Sequence, residues 1–428
     1  MTRRQMSSHK RAQRRQRIVL ISGVSIIAVA VIIVLVGLFI GEIIPMNASV
    51  LEINGKSFNM RYYIDALELA ASNNPDRTVG LINSGLITQL QDNELLRQGA
   101  EMLGITVSDD EVKDELERLG FEKSNVNTDI MRVQLVQTKL KDEYFDGMIP
   151  VSDAQVNMQA LMLEDETVAA DIRGRIASGD NVTDLAREYG LNYYSQNEYF
   201  GDFGWHPAVI YTDLLGTQVP IDYAFNAAAG DLSEPLADNE TSKRKGYWLL
   251  KVNSLGEVPG SGNVTSISAN VTGLLLSSES EATEIKARIE AGEDVAALAA
   301  EYSNYSLSKA NGGELGTQVK PAEEDRTAIS EPVDAYIFAE DVEIGAWSDP
   351  VADTLYWTVG GEWVVKVVDT AEDMAISDED REYLIDKLYS DWLAALSSDP
   401  SFEINVLLTD EQQARAISKV EKALSAAR

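Results

Sequence analysis

The chain has 428 residues, no cysteine and two histidines, and it carries 36 lysine and arginine side chains against 69 aspartate and glutamate side chains. The lack of cysteine excludes disulfides, thiolate catalysis and cysteine-based zinc or iron–sulfur sites, and two histidines leave little material for a histidine-based triad or metal centre. Residues 1–17 hold seven of the basic side chains and no acidic one, so the remainder carries 29 − 69 = −40, and so acidic a surface would repel nucleic acid.

Residues 18–40 form an uncharged apolar run directly after this basic segment. At about 1.5 Å per residue, a helix of that length crosses the hydrocarbon core of a membrane. A cleavable signal peptide is the alternative, but its apolar core is usually only about 7–15 residues long. We therefore predict a transmembrane helix at 18–40, with residues 1–17 in the cytoplasm. The protein would be a single-pass protein of the cytoplasmic membrane whose bulk is extracytoplasmic.

Residues 41–150 are predicted to form a mostly helical region. Ser49–Gly55 alternates apolar and polar residues and ends in Asn-Gly, which indicates a strand followed by a tight turn. Ser108 and Glu111 form a capping-box pattern that opens a short helix. The spacing of apolar residues predicts three further helices, at Asn59–Ala71, Val79–Gly104 and Asn127–Met148.

The middle of the chain contains an internal duplication. Ile172–Tyr189 and Ile285–Tyr302 lie 285 − 172 = 113 residues apart and are identical at nine of 18 positions. An apolar strand pattern precedes each copy, at Met158–Leu163 and Val271–Leu276. A Gly-rich turn and a Ser-x-Pro step follow, and each copy closes on a strand pattern, at Gly246–Val252 and Gly361–Val367. The repeat predicts two tandem α+β domains, 151–257 and 264–370, joined by a linker at 258–263.

Both copies resemble parvulin-type (PpiC/rotamase) prolyl isomerase domains. The resemblance lies in the first strand, the helix ending in Leu-Ala-x-Glu-Tyr, the turn Gly312-Gly-Glu-Leu-Gly316, the Ser-x-Pro step and the closing strand, in the family's order. The region before them resembles the N-terminal chaperone segment of SurA-, PrsA- and PpiD-like foldases. In those proteins a C-terminal helix completes the chaperone module. Asp380–Leu396, within the predicted C-terminal helices at 371–428, fits that helix.

The resemblance also implies where a prolyl-isomerase site would lie. Parvulins frame it with a histidine on the first strand, a histidine on the last strand, and an Asp or Cys between them. In this chain the two histidine positions fall on Ala160 and Trp248 in the first copy and on Gly273 and Trp363 in the second. The Asp or Cys position falls near Asn192 and Tyr305. Since this polar framework is absent from both copies, no catalytic residue is predicted.

The apolar walls of the site are partly retained, because Phe225 and Phe338 match the helix phenylalanine of the family. The candidate substrate-binding residues are Phe225, Trp248, Tyr305, Phe338 and Trp363. The alternative is that Trp248 and Trp363 are core residues of buried strands. His206 is predicted to lie in a loop without a partner His or Cys. No metal or cofactor is predicted.

The predicted fold class is α+β, with one transmembrane helix, a mostly helical SurA-like chaperone domain and two tandem parvulin-like domains. The resemblance implies a membrane-anchored extracytoplasmic foldase or chaperone whose isomerase activity is weak or lost. Its partners would be unfolded or nascent secreted polypeptides, the cytoplasmic membrane through residues 18–40, and the secretion machinery. An active peptidyl-prolyl cis–trans isomerase and a membrane scaffold for one dedicated secretion partner are the two alternatives.

Overall fold

A computed structural model describes residues 44–192, 199–259, 265–321 and 329–426. These residues form two compact units. The first comprises the described residues up to Ile149 together with those from Arg381 onward, and the second comprises Pro150–Asp380. Both units mix helices and strands.

The elements of the first unit are, in chain order, α1 (Ile44–Asn47), β1 (Ser49–Ile53), β2 (Lys56–Asn59), α2 (Met60–Asn73), α3 (Val79–Met102), α4 (Asp109–Leu119) and α5 (Asn125–Lys139), which continues as a π-helical segment (Leu140–Phe145) and a 3-10 turn (Asp146–Met148). The second unit contributes β3 (Ser152–Leu163), α6 (Glu166–Ala177), α7 (Val182–Tyr189), β4 (Asp202–Pro207), α8 (Ala208–Leu215), α9 (Val219–Ala224), β5 (Leu236–Lys243), β6 (Gly246–Pro259), β7 (Thr265–Leu276), α10 (Glu279–Glu290), α11 (Val295–Tyr302), α12 (Ser306–Ala310), β8 (Glu314–Val319), α13 (Glu331–Ile337), β9 (Val351–Asp353) and β10 (Thr358–Ala375). The chain then enters α14 (Asp378–Ser398) and ends in β11 (Ile404–Val406) and α15 (Asp410–Ala426).

Within the described ranges, no helix is both long and apolar enough to cross a membrane. The longest of them, α3, carries charged side chains over its second half, including Asp92, Glu94 and Arg97. The predicted fold class is therefore corrected, because the described residues form a mixed helix-and-sheet protein without the predicted membrane-spanning helix. The predicted localisation by single-pass anchoring is not supported either. Residues 18–40, over which that helix was predicted, lie outside the described residues.

A three-stranded antiparallel sheet in the order β11-β1-β2 organises the first unit. Asn54 and Gly55 join β1 to β2 with φ angles of 46° and 82°, and a two-residue hairpin turn of this type needs a positive φ at both positions. The predicted strand and turn are confirmed. The third strand, β11, places Val406 opposite Leu51.

Helices cover this sheet and form the rest of the first unit. The capping box is confirmed, since Ser108 Oγ accepts the Glu111 N–H at 3.3 Å and the Glu111 carboxylate accepts the Ser108 N–H at 2.8 Å. Helix α14 approaches α3 closely at Gly99, where a Cβ atom would lie 2.5 Å from Leu396 Cδ1 and 2.9 Å from the Trp392 ring. The missing side chain therefore allows the two helices to pack against each other.

Two four-stranded antiparallel sheets form the second unit, in the orders β4-β3-β10-β5 and β8-β7-β6-β9. We call them the first and second sheet. Three strands of the first sheet come from the first repeat, but β10 is the closing strand of the second repeat. Three strands of the second sheet come from the second repeat, but β6 closes the first repeat. The two repeats have therefore exchanged their last strands.

Each repeat fixes the strand that it receives by the same bond. Ser233, from the Ser-x-Pro step of the first repeat, accepts the Val365 N–H at 2.9 Å. Ser348, at the equivalent step of the second repeat, accepts the Leu250 N–H at 2.9 Å. Because the serine hydroxyl accepts a backbone N–H and contacts no particular side chain in this bond, either closing strand can supply the donor.

The strands cross between the sheets at two short connections, from β5 to β6 and from β9 to β10. Lys243, the last residue of β5, is fully buried there, and its ammonium group donates to the carbonyl oxygens of Gly360 and Glu164. Burial lowers the pKa of Lys243 to about 8. Beside it, Lys245 forms an ion pair of 2.6 Å with the nearly buried Glu164.

Candidate functional site

Three aromatic rings meet on one face of the second sheet. The ring centroids of Trp248 and Tyr305 are 5.2 Å apart, those of Trp248 and Tyr356 are 5.8 Å apart, and those of Tyr305 and Tyr356 are 5.2 Å apart, all in edge-to-face geometry. This arrangement is a favourable one for aromatic side chains. We call these three residues the aromatic triad. Trp248 is fully buried, whereas the two tyrosines are half-buried, so the triad has an inner wall and a partly open face.

Hydrogen bonds hold two members of the triad in place. The Trp248 indole N–H donates to Asp353 Oδ2 at 2.9 Å, and the Tyr356 hydroxyl donates to the Ile329 carbonyl at 2.7 Å. Burial, followed by the nearby Tyr305 hydroxyl, raises the pKa of Tyr356 to about 12. The Tyr356 hydroxyl therefore stays protonated at neutral pH and continues to donate to the Ile329 carbonyl.

Two of the positions implied by the family resemblance, Trp248 and Tyr305, belong to the triad, and the others near it do not supply the polar side chains of the family. Gly273 lies on β7 opposite Leu250, and a Cβ atom there would meet Leu315 at 2.8 Å and Leu250 at 2.9 Å. A histidine at Gly273 would therefore displace both leucines. Phe338 is half-buried and packs on the core of this sheet.

The equivalent place on the first sheet has a different chemistry. Trp363 is fully buried there, and its indole N–H donates to Asp238 Oδ2 at 3.0 Å. Ala160 lies on β3 opposite Val365, and the Phe225 ring lies 6.3 Å from the Tyr211 ring in the core of this sheet. Asn192, the counterpart of Tyr305, is largely buried. Residues 193–198, which follow it, lie outside the described residues.

Strand exchange places each tryptophan in the site of the other repeat. Trp248 belongs to the first repeat in sequence but packs with Tyr305 and Phe338 of the second. Trp363 belongs to the second repeat but packs with Phe225 of the first. The candidate substrate-binding residues therefore form two groups, each drawn from both repeats. Since both indoles are buried and bonded to aspartate, the exposed part of each group comes from the other residues.

Sequence reasoning missed Tyr356 and the two aspartates. Asp238 and Asp353 each follow the serine of a Ser-x-Pro step by five residues, 238 − 233 and 353 − 348. That shared spacing is the signal that could have revealed them as a pair. Tyr356 has no counterpart of its kind, because Thr241 occupies the equivalent position after Asp238.

His206 does not lie in a loop, as predicted from the sequence. It is part of β4, and its Nδ1 atom lies 2.7 Å from Asp380 Oδ1. The loop prediction was wrong because this segment pairs with β3, where His206 lies opposite Val156. No group of three or more His, Asp or Glu side chains in the described part of the chain is arranged to hold a metal ion.

A separate cavity of about 350 Å³ lies in the first unit, between β2, α3 and α5. Its apolar wall includes Phe58, Leu90 and Ile130, and its rim includes charged side chains such as Lys56 and Arg132. The Phe58 ring also lies 5.2 Å from Tyr62. This mixture of an apolar wall and a charged rim suits a peptide segment with an apolar side chain.

The rotamase family model, described as the PPIC-type PPIASE domain, matches residues 276–359. This segment contains Tyr305, Phe338, Asp353 and Tyr356, but it excludes Trp248. The chain is also similar to two proteins named foldase protein PrsA. One, from Oceanobacillus iheyensis, is 25% identical over 232 residues, which is 45% of this chain and 73% of that protein. The other, from Caldanaerobacter subterraneus subsp. tengcongensis, is 27% identical over 186 residues, 40% of this chain and 56% of that protein.

Solved structures of peptidylprolyl isomerase PrsA show low overall similarity to this chain. For the protein from Bacillus cereus, the TM-score is 0.27 and the identity 10%, over 88% of this chain and 99% of that chain. For the protein from Bacillus anthracis, the TM-score is 0.24 and the identity 16%, over 35% of this chain and 72% of that chain. The sequence matches therefore show similarity to the PPIC-type rotamase domain over residues 276–359, within the second repeat, and to foldase proteins named PrsA over less than half of this chain.

Proposed function

We propose that this protein is a foldase that binds apolar, proline-containing segments of unfolded polypeptides at the aromatic triad, and that its prolyl-isomerase activity is weak. The observation that carries the proposal is the triad itself, which stands inside a rotamase-type domain where the family's histidine frame would be. A proline ring or an apolar side chain packs well on the faces of aromatic rings. The half-buried Tyr305 and Tyr356 offer such faces to a peptide.

Weak turnover follows from the hydrogen bonds of the triad. Rotation about a peptide bond crosses a barrier of about 18–20 kcal/mol, and an enzyme lowers it by binding the twisted amide better than the planar one. Here the Trp248 N–H is bonded to Asp353, and the Tyr356 hydroxyl is bonded to Ile329. Neither group is available to a twisted amide, and this supports a site that discriminates little between the planar and the twisted amide.

The cavity in the first unit supports a second contact with the same polypeptide. Its apolar wall and charged rim suit an extended segment, and each contact would be weak by itself. Two weak sites on one chain hold a flexible client more firmly than either site alone. Release then needs no nucleotide, because each contact opens rapidly.

The test of peptide binding uses the full chain and a fluorescein-labelled peptide whose centre is Leu-Pro-Phe. We expect Tyr305→Ala to weaken binding roughly ten- to hundredfold, since it removes an apolar face worth about 1.5–3 kcal/mol. Tyr302→Ala is the matched control, because Tyr302 lies in the same repeat but packs in a different core cluster. Equal binding by wild type and Tyr305→Ala would overturn the proposal.

The test of turnover measures the cis–trans rate of the same peptide by NMR exchange, with and without the protein. Active isomerisation is the second candidate function, favoured by the rotamase match over residues 276–359. Acceleration as large as that of an ordinary parvulin would establish it and contradict weak turnover. A scaffold for one dedicated partner would instead capture a single protein in stoichiometric amount after crosslinking, whereas a foldase captures many.

A further inference from the structure

Each exchanged strand is fastened to its new sheet by a tryptophan–aspartate hydrogen bond. Trp248 donates to Asp353 at 2.9 Å, and Trp363 donates to Asp238 at 3.0 Å. Both tryptophans are fully buried and both aspartates are 2% exposed. A buried hydrogen bond to a carboxyl group is among the stronger polar contacts in a protein. The two bonds are equivalent by position in the repeat.

The two aspartates differ in what else they hold. Asp238 accepts four donors, since the Glu240 and Thr241 amides and the Thr241 hydroxyl bond to it in addition to Trp363. Asp353 accepts the Trp248 indole and one amide, that of Leu355 at 2.7 Å. Trp248 thus supplies one of the two described hydrogen bonds that hold the Asp353 carboxylate.

The Asp353–Leu355 hydrogen bond lies next to a member of the aromatic triad in the chain. Leu355 precedes Tyr356, so the turn that Asp353 closes also sets the direction of the Tyr356 ring against Tyr305. At the other aspartate the corresponding residue is Thr241, which bonds to Asp238 itself. The same hydrogen bond therefore supports an aromatic surface in one sheet and only a closed turn in the other.

We propose that Asp353 is a positioning residue of the peptide site, and that the first repeat shapes this site through the Trp248–Asp353 bond. The strand that carries Trp248 belongs to the first repeat, and the rings it supports belong to the second. Loss of the bond releases the turn at residues 353–357 and lets Tyr356 move away from Tyr305. This proposal rests on the function proposed above, because it concerns the surface that would receive the peptide.

The test compares Asp353→Asn with Asp238→Asn in the full chain. Both variants replace one buried carboxyl oxygen by an amide nitrogen, so at each site at least one buried donor loses its acceptor; at Asp353 this donor is the Trp248 indole or the Leu355 amide. We expect a similar loss of stability in urea for the two variants. Binding of the labelled Leu-Pro-Phe peptide should weaken about tenfold in Asp353→Asn, the change that loss of one such bond produces, and stay within twofold of wild type in Asp238→Asn.

A second readout does not depend on the peptide. Amide hydrogen exchange at residues 353–358 should become faster in Asp353→Asn and in Trp248→Phe, which removes the donor, and stay unchanged in Asp238→Asn. The double variant Trp248→Phe with Asp353→Asn should bind the peptide no more weakly than the worse single variant, because both substitutions break the same bond.

Equal peptide binding, or equal exchange at residues 353–358, in Asp353→Asn and Asp238→Asn would overturn the positioning role. The failure of the proposed function has a different signature, since the wild-type protein would then not bind the peptide at all. In that case the exchange rates alone decide whether Asp353 holds the turn.

Discussion

Gln159, in the middle of the first strand of the first repeat, lies directly opposite Lys366, on the last strand of the second repeat. The matching pair in the other sheet is Thr272 with Lys251. All four side chains are half-buried. These two pairs report the strand exchange directly, because each joins residues of different repeats.

The strand exchange predicts a specific crosslink. Paired residues of an antiparallel sheet have Cα atoms about 4.5–5.5 Å apart, within the range of a disulfide, and the chain has no cysteine of its own. The double variant Gln159→Cys with Lys366→Cys should therefore oxidise rapidly to an intramolecular disulfide, detected by a gel shift and by mass. The control is Gln159→Cys with Lys251→Cys, which would form the disulfide only if each repeat kept its own last strand.

The exchange also predicts which fragments fold. Residues 245–357 contain all four strands of the second sheet and the whole triad, and we expect them to give a cooperative unfolding transition by circular dichroism. Residues 264–370, which follow the boundaries of the repeat, lack β6 and could complete the sheet only with β10. Because the short connection from β9 carries β10 into the other sheet, we expect this fragment to remain unfolded or to associate through the open edge of β7. A cooperative transition of the monomeric 264–370 fragment would contradict this prediction.

The close approach of α3 and α14 at Gly99 predicts that a larger side chain there lowers the free energy of unfolding. A methyl group in Gly99→Ala would lie 2.5 Å from Leu396 Cδ1 and 2.9 Å from the Trp392 ring. Overpacking of this kind usually costs about 1–3 kcal/mol, more than the small helix-propensity gain of alanine. Urea unfolding of the full chain should show a loss of that size. Gly85→Ala in the same helix is the control, since its Cβ meets no atom within 4 Å and should not destabilise.

The burial of Lys243 predicts that the free energy of unfolding rises at alkaline pH. Burial lowers its folded-state pKa to about 8, while the unfolded chain keeps the ordinary value of about 10.4. Between these values the unfolded state binds more protons, so the free energy of unfolding increases as pH rises from 8 to about 10, by up to about 3 kcal/mol. Falling pH removes this contribution again. The groups around Lys243 are Glu164, Asp165, Glu281 and Lys245.

The measurement is the difference in unfolding free energy between wild type and Lys243→Met across pH 7 to 10. Tyrosines that titrate in the same range cancel in this difference. A difference that does not change with pH would show that Lys243 remains charged in the folded protein throughout.

Local features of this fold were readable from the sequence. The Asn54-Gly55 turn and the Ser108 capping box depend on neighbouring residues only, and both formed as predicted. The duplication also indicated two sets of strands. What the sequence did not specify is which closing strand joins which sheet, because Gly246–Val252 and Gly361–Val367 present nearly the same pattern of apolar residues. Only the short crossings between sheets distinguish the two arrangements.

The features that could not be predicted from the sequence depend on contacts between residues far apart in the chain. His206 finds Asp380 across 174 residues, and the triad joins residues from three separate segments. Neither is encoded in a local spacing. The resemblance located Tyr305 and Trp248 by position in the family, but Tyr356 has no tyrosine counterpart in the first repeat that could have marked it. β11 has only three residues, too few for a periodic pattern to indicate a strand.

The exchanged strands also order the events of synthesis. Ala160 pairs with Val365, which is 365 − 160 = 205 residues further along the chain. At about 5–20 residues per second on a ribosome, β3 waits on the order of 10–40 seconds for its neighbour. In contrast, β6 and β7 are consecutive and can pair as soon as both have emerged. The second sheet therefore assembles first. Meanwhile the apolar residues Met158–Leu163 stay without β10, so one edge of β3 remains unpaired until the end of the second repeat has been made.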